Sequence, residues 1–209
     1  MLTVVQNVNE RVSRFAVKIL ILEKIMSDVL IIIDIQNDYF PGGKMEVVDS
    51  ELAASNAGLL LEAYRNINVP IIHVQHISTR KGASFFLPGT TGVEIHESVS
   101  PISGEIIITK NFPNSFRDTD LEDYLQSLKV TKLTFCGMMS HMCIDATVRA
   151  AFDKGYDCKV VHDACATRDL SHNGIDVPST NVHASYMAAL GSVYARVVSS
   201  EEVIKEIGT

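Results

Sequence analysis

Three residues of this 209-residue chain have the types and positions needed to open a carbonyl compound: Asp34, Lys110 and Cys143. Asp34 closes the apolar run Val29-Leu30-Ile31-Ile32-Ile33, and Lys110 closes Ile106-Ile107-Ile108-Thr109. Cys143 follows the run Lys132 to Cys136 through Gly137-Met138-Met139-Ser140-His141-Met142. If these runs are strands of one parallel sheet, their carboxyl ends meet along one edge, where open α/β sheets bind ligands. A thiol in the first turn of a helix feels the positive end of the dipole and the free N–H groups, which favour its thiolate. A carboxylate nearby can accept the thiol proton, and an ammonium nearby can hold the resulting charge and orient the carboxylate. The same N–H groups can receive the oxyanion formed when sulfur attacks a carbonyl carbon. Acyl transfer is the chemistry this assembles. Each residue alone has a plainer explanation, since an Asp after a buried strand is often a turn residue, a Lys there is usually solvated, and a buried Cys usually packs. The expectation of function rests on the three strand ends being occupied together.

Those strand ends belong to a regular alternation. From Asp28 onward six short runs rich in Val and Ile, Val29 to Ile33, Pro70 to Gln75, Glu105 to Thr109, Lys132 to Cys136, Asp157 to His162 and Tyr194 to Val198, read as strands. Between and after them, Ser50 to Asn66, Thr119 to Leu128, Met142 to Lys154, Ser179 to Leu190 and Ser200 to Ile207 carry apolar residues at helical spacing. This is the pattern of βαβ units. It predicts a three-layer α/β/α, Rossmann-like fold, with a mostly parallel six-stranded sheet and right-handed crossovers putting helices on both faces. The long stretch from Ile77 to Gly104, marked by Gly82, Pro88, Gly89, Gly92 and Pro101, is expected to border a pocket.

Composition narrows the function classes. A hydrophobic fraction of 46% and a charged fraction of 21% predict a packed core. The net charge of -7, with no basic stretch interleaved with aromatics, argues against nucleic acid as a partner. The four cysteines, Cys136, Cys143, Cys158 and Cys165, form no CxxC pair and suit reduced thiols in the cytosol. Charged residues interrupt the apolar stretch Phe15 to Ile25, so neither a secretory signal nor a membrane span is expected there. Residues 1–26 read as an extension preceding one domain, 27–209. An amphipathic helix from Val12 to Ile25 packing on a neighbouring subunit is the other reading.

The motifs Asp34-Ile35-Gln36-Asn37-Asp38-Tyr39-Phe40, Lys110-Asn111 with Asn114-Ser115-Phe116, and Gly137 to Thr147 resemble those of the isochorismatase-like cysteine hydrolases, in order and at suitable spacing from Ser27 to the end. The resemblance implies Asp34 as general base, Lys110 as charge-stabilising partner and Cys143 as nucleophile. It also implies a cis peptide at Met138-Met139 that helps aim the Met139 and Cys143 N–H groups at an oxyanion. A cysteine at 143 speaks against vinyl-ether cleavage as in true isochorismatases, and the stretch His73-Val74-Gln75-His76 lacks the Asp-x-His element of the metal-bearing nicotinamidases. No cofactor and no metal are therefore expected, and His73 and His76 at this spacing should point to opposite faces of a strand. Gln36, Phe40, Phe112, Phe116, Met139 and His141 are candidates for a pocket around a small-molecule substrate. The expected activity is hydrolysis of an amide, carbamoyl or ureido C–N bond through a thioester. The expected setting is the cytoplasm, in a homo-oligomer (dimer or tetramer). Two alternatives are a redox-sensing protein in which Cys136 or Cys165 resolves Cys143, and a binding module that kept the pocket without turnover.

Overall fold

The computed structural model describes residues 28–208; the extension and its alternative helix lie outside the described residues. Six parallel strands form the sheet: β1 (Asp28–Ile33), β2 (Ile71–His76), β3 (Ile106–Lys110), β4 (Lys132–Met138), β5 (Asp157–Ala166) and β8 (Arg196–Val198), in the order β3-β2-β1-β4-β5-β8. All six residues of β1 are buried, because it lies between β2 and β4 with helices over both faces. On one face α1 (Ser50–Asn66) brings Ala53, Ala57, Leu60 and Tyr64, and α5 (Ser200–Gly208) brings Val203. On the other, α2 (Leu121–Leu128), α3 (Asp145–Asp153) and α4 (Ser179–Val193) bring Leu121 and Leu125, Val148 and Ala151, and Met187 and Leu190. The predicted three-layer α/β/α architecture is the observed one.

Two departures bear on the site or its rim. The segment before α3 is a π turn, Ser140–Ile144, so the helix expected from Met142 begins earlier and with wider hydrogen bonding. An antiparallel hairpin, β6 (Leu170–His172) and β7 (Ile175–Val177), turns through Asn173 and Gly174 at φ 51° and 76°. The Asn-Gly pair is the turn signal of a two-residue hairpin, but three-residue exposed strands carry no apolar alternation to announce them. No helix among the described residues is long and apolar enough to cross a membrane.

Register decides which strand ends meet. Ile33 pairs with Val74 on one side and Gly137 on the other, and His76 pairs with Lys110, so the carboxyl ends of β1 to β4 lie level. At Gly137 a Cβ would stand 2.0 Å from the Ile33 carbonyl oxygen, and φ is 127°. Only glycine lets β4 close against the end of β1 there.

Candidate active site

Asp34, immediately after β1, adopts the left-handed conformation at φ 52° and donates its N–H to Val74 O at 3.0 Å. For an aspartate this conformation is tolerated rather than favoured, and it turns the side chain off the strand axis. Lys110 is the last residue of β3, and Cys143 lies within the π turn. The three side chains are sealed, at 0%, 1% and 5% exposure. Lys110 Nζ donates to Asp34 Oδ2 at 2.7 Å and to Phe112 O at 3.1 Å, and it lies within hydrogen-bonding distance of both Cys143 Sγ and His76 Nδ1, each at 3.2 Å. Asp34 Oδ1 is buried with no partner among the described residues.

Burial would pull the Lys110 pKa down, but Asp34 and then Cys143 reverse this, and the ammonium is held more firmly than usual. The Cys143 thiol moves the other way. Burial pushes its pKa up strongly, Asp34 adds to that, and Lys110 only partly opposes it. The helix-start N–H groups expected to favour the thiolate are thus set against burial, which favours the thiol. Burial, and Lys110 less strongly, lower the pKa of His76 against the pull of Asp34, so its ring is neutral.

Asp34, His76 and Cys143 bring one ligand atom each within 4.8 Å of one another, a set of types suited to zinc. Lys110 Nζ, however, is within hydrogen-bonding distance of all three side chains. An ammonium already occupies the place where a cation would sit, so these residues do not fit a metal ion. His73 points to the opposite face, as the spacing predicts, and pairs with Glu105 at 2.9 Å.

The remaining candidates divide. Met138 and Met139 flank a cis peptide and are buried beside the π turn, where the N–H groups of Met142 and Ile144 both donate to Met139 O. Phe112 touches the site through its carbonyl, while its ring carries Arg117 at 3.6 Å. Gln36 is corrected from substrate contact to clamp. It is fully buried, with both amide hydrogens spent on His76 O and Val93 O and its oxygen accepting from His76 N. Phe40 is stacked on His96, and Phe116 packs on Tyr156 with Lys154 above it and against the apolar cluster that contains Cys143. His141 is bonded to Thr167 and edges onto Tyr186. Two residues were not foreseen as site members. Tyr39 stands close enough for Cys143 and Asp34 to raise its pKa beyond what burial does, and His76 reaches Lys110.

The loop after β2 borders a cavity, as expected: about 340 Å³, lined by Ser84, Leu87 and Thr90 of the loop and by Asn37 and Pro41. Asp38 accepts from Phe86 N at 2.6 Å and Lys44 N at 3.2 Å, and a Cβ on Gly92 would collide with the Asp38 carboxylate at 2.1 Å. Phe86 thereby lies against Tyr39 and His76, with ring centroids 4.6 and 5.9 Å away. A cavity of about 490 Å³ lies at the opposite end of the sheet beside Asp28, Lys132 and Asp157. Convergence of titratable groups, rather than cavity size, singles out the carboxyl edge.

Comparison with known proteins adds to this geometry. The isochorismatase domain model matches residues 28–201. YddQ of Bacillus subtilis strain 168, an isochorismatase family protein, is 54% identical over 86% of this chain and 100% of its own length. A solved isochorismatase hydrolase structure from Oleispira antarctica is 48% identical, with a TM-score of 0.83 over 86% of this chain and 96% of that one. An N-carbamoylsarcosine amidase from Arthrobacter sp. is 25% identical over 76% of this chain and 70% of its own.

Proposed function

Because the chain belongs to the isochorismatase family, we propose that it is a cysteine hydrolase that cleaves a C–N bond of a small molecule, an amide, carbamoyl or ureido group, through a thioester. The observation that carries this reading is the position of Lys110 Nζ, within hydrogen-bonding distance of both Asp34 and Cys143 at the carboxyl edge of the sheet. Asp34 takes the thiol proton through its unpartnered Oδ1. Sulfur forms a bond to the carbonyl carbon, and the N–H groups of Met139 and Cys143 receive the oxyanion. The C–N bond then breaks, and the leaving nitrogen takes the proton from Asp34. Asp34 next draws a proton from water, hydroxide adds to the thioester, and the C–S bond breaks to release the acid, the sulfur taking the proton back from Asp34 to restore the thiol. The sealed thiol and the absence of a cation seat favour this acyl route, and the resemblance of the chain to an amidase that acts on an N-carbamoyl compound supports the substrate class.

Intact-mass analysis after incubation with a panel of small amides and ureido acids tests it. An acyl adduct mapping to Cys143, absent together with turnover in Cys143→Ala, is the expected result. Turnover retained in that variant, or labelling spread equally over Cys136, Cys143, Cys158 and Cys165, would overturn the reading.

A further inference from the structure

The Lys110 ammonium faces more acceptors than it has hydrogens. It carries three N–H donors. Four acceptors surround Nζ: Asp34 Oδ2 at 2.7 Å, Phe112 O at 3.1 Å, His76 Nδ1 at 3.2 Å and Cys143 Sγ at 3.2 Å. The carboxylate and the carbonyl are strong oxygen acceptors, so the contest for the third hydrogen is between a ring nitrogen and sulfur. A thiol is a weak acceptor and a thiolate, being charged, a strong one. We propose that His76 is a positioning residue that holds the third hydrogen of Lys110 while Cys143 is a thiol and yields it to sulfur when the thiolate forms. This rests on the reading of Asp34, Lys110 and Cys143 as the reacting set.

Three further observations fit His76 to that task. Register places it directly beside Lys110 across the β2–β3 pair, with both side chains on one face. Its backbone is clamped from both sides by one buried residue, since His76 N donates to Gln36 Oε1 at 2.8 Å and Gln36 Nε2 donates to His76 O at 2.9 Å. An ammonium has no lone pair, so Nδ1 facing it must be bare, and the single ring proton sits on Nε2. The charged and titratable groups around this contest are Asp34 and Lys110, which face His76, and Asp34, Lys110 and Tyr39, which face Cys143. His76 thus keeps the third hydrogen of Lys110 off the sulfur in the resting protein. Without its nitrogen, the third hydrogen of Lys110 would rest on sulfur permanently and make the thiol more acidic.

The test has a wild-type arm and a variant arm. In the intact protein, histidine ring ¹⁵N shifts should show His76 neutral with its proton on Nε2; a proton on Nδ1 overturns the proposal whatever the variants do. The variant arm reads the pH dependence of Cys143 alkylation by iodoacetamide, followed by intact mass. His76→Phe, which fills the space without an acceptor, should lower the midpoint by about one unit, raising the rate at neutral pH roughly tenfold. His76→Asn, whose side-chain oxygen can accept at the same place, should stay near wild type, and Lys110→Met should raise the midpoint. An unmoved midpoint in His76→Phe, or equal shifts in the Phe and Asn variants, overturns the role of His76 while the Lys110→Met shift leaves the reacting set standing. A midpoint that Lys110→Met does not move overturns both.

Discussion

Two histidines three residues apart on β2 anchor two different kinds of charged cluster. On one face His73 Nε2 meets Glu105 Oε2 at 2.9 Å, and Glu105 also receives Arg65 through both oxygens, at 2.7 and 2.9 Å, and Ile102 N at 3.0 Å. On the other face His76 joins Lys110, Asp34 and Cys143. In the first cluster four donors serve one carboxylate, one at Oε1 and three at Oε2, against about four lone-pair positions in all, so no donor lacks an acceptor. In the second, three hydrogens serve four acceptors, so two arrangements lie close together. Both clusters leave a buried atom unpartnered, His73 Nδ1 in one and Asp34 Oδ1 in the other. Only the latter is a carboxylate oxygen beside a thiol. A matched cluster holds a fold together, and a mismatched one can let a proton move.

The largest separation between the two should come from Asp34→Asn. Asparagine tolerates a φ of 52° as aspartate does, so the backbone is kept while the base is lost. Turnover should fall by about 10³-fold or more, measured as kcat/KM on whichever amide labels Cys143. Leaving the sealed Lys110 without its anion should also cost about 3 kcal/mol in urea unfolding. Activity within tenfold of wild type would erase the distinction between the clusters.

Glu105→Gln is the converse experiment, with kcat/KM unchanged and stability reduced by about 2 kcal/mol. Its pH signature has a definite sign. Burial would raise the Glu105 pKa, but Arg65, the Ile102 N–H and His73 hold it down to about 2, against an ordinary value of 4.5. A depressed carboxylate pKa means stability that is present above pH 4.5 and lost as pH falls toward 2. The variant should therefore lose less stability than wild type across that window. A parallel acid limb in both proteins would show that the cluster contributes nothing to acid stability.

How far this was legible in the sequence differs by residue. Asp34, Lys110 and the loop to Cys143 stand out because each breaks or follows an apolar run, and the alternation of runs predicts a parallel sheet whose ends converge. His76 was hidden by one residue. With β2 ending at Gln75 the strand-end rule passes over it, and only the β2–β3 register shows that it lies beside Lys110. Gln36 was visible as a polar residue near Asp34, but its hydrogen bonds go to Val93 O and His76 O, 57 and 40 residues away, which no local pattern encodes. The ring partners of Phe40 and Phe116, His96 and Tyr156, are likewise remote in the sequence. Cys143 shows the limit of a local electrostatic argument. The turn N-terminus is readable from spacing, whereas the burial that opposes it belongs to the whole fold.

The smallest effect sharpens the comparison from its exposed rim. Arg65 is partly exposed, with 28% of its side chain accessible, and it grips Glu105 in a two-pronged fork through Nε and Nη2, while Nη2 also donates to Ser100 O at 2.9 Å. Lysine has the charge but not the planar fork, so Arg65→Lys keeps one ion pair and loses the geometry that matches donors to acceptors. Because solvent already screens this edge, the cost should be only about 1 kcal/mol, and high salt should shrink it. Urea unfolding of wild type and variant at low and high salt measures both quantities. His73 remains on Glu105 in the variant and β2 keeps its register, so alkylation of Cys143 should keep its wild-type midpoint. A midpoint that moved with Arg65→Lys would mean that the two faces of β2 are coupled, and that the matched cluster helps set the mismatch in the other.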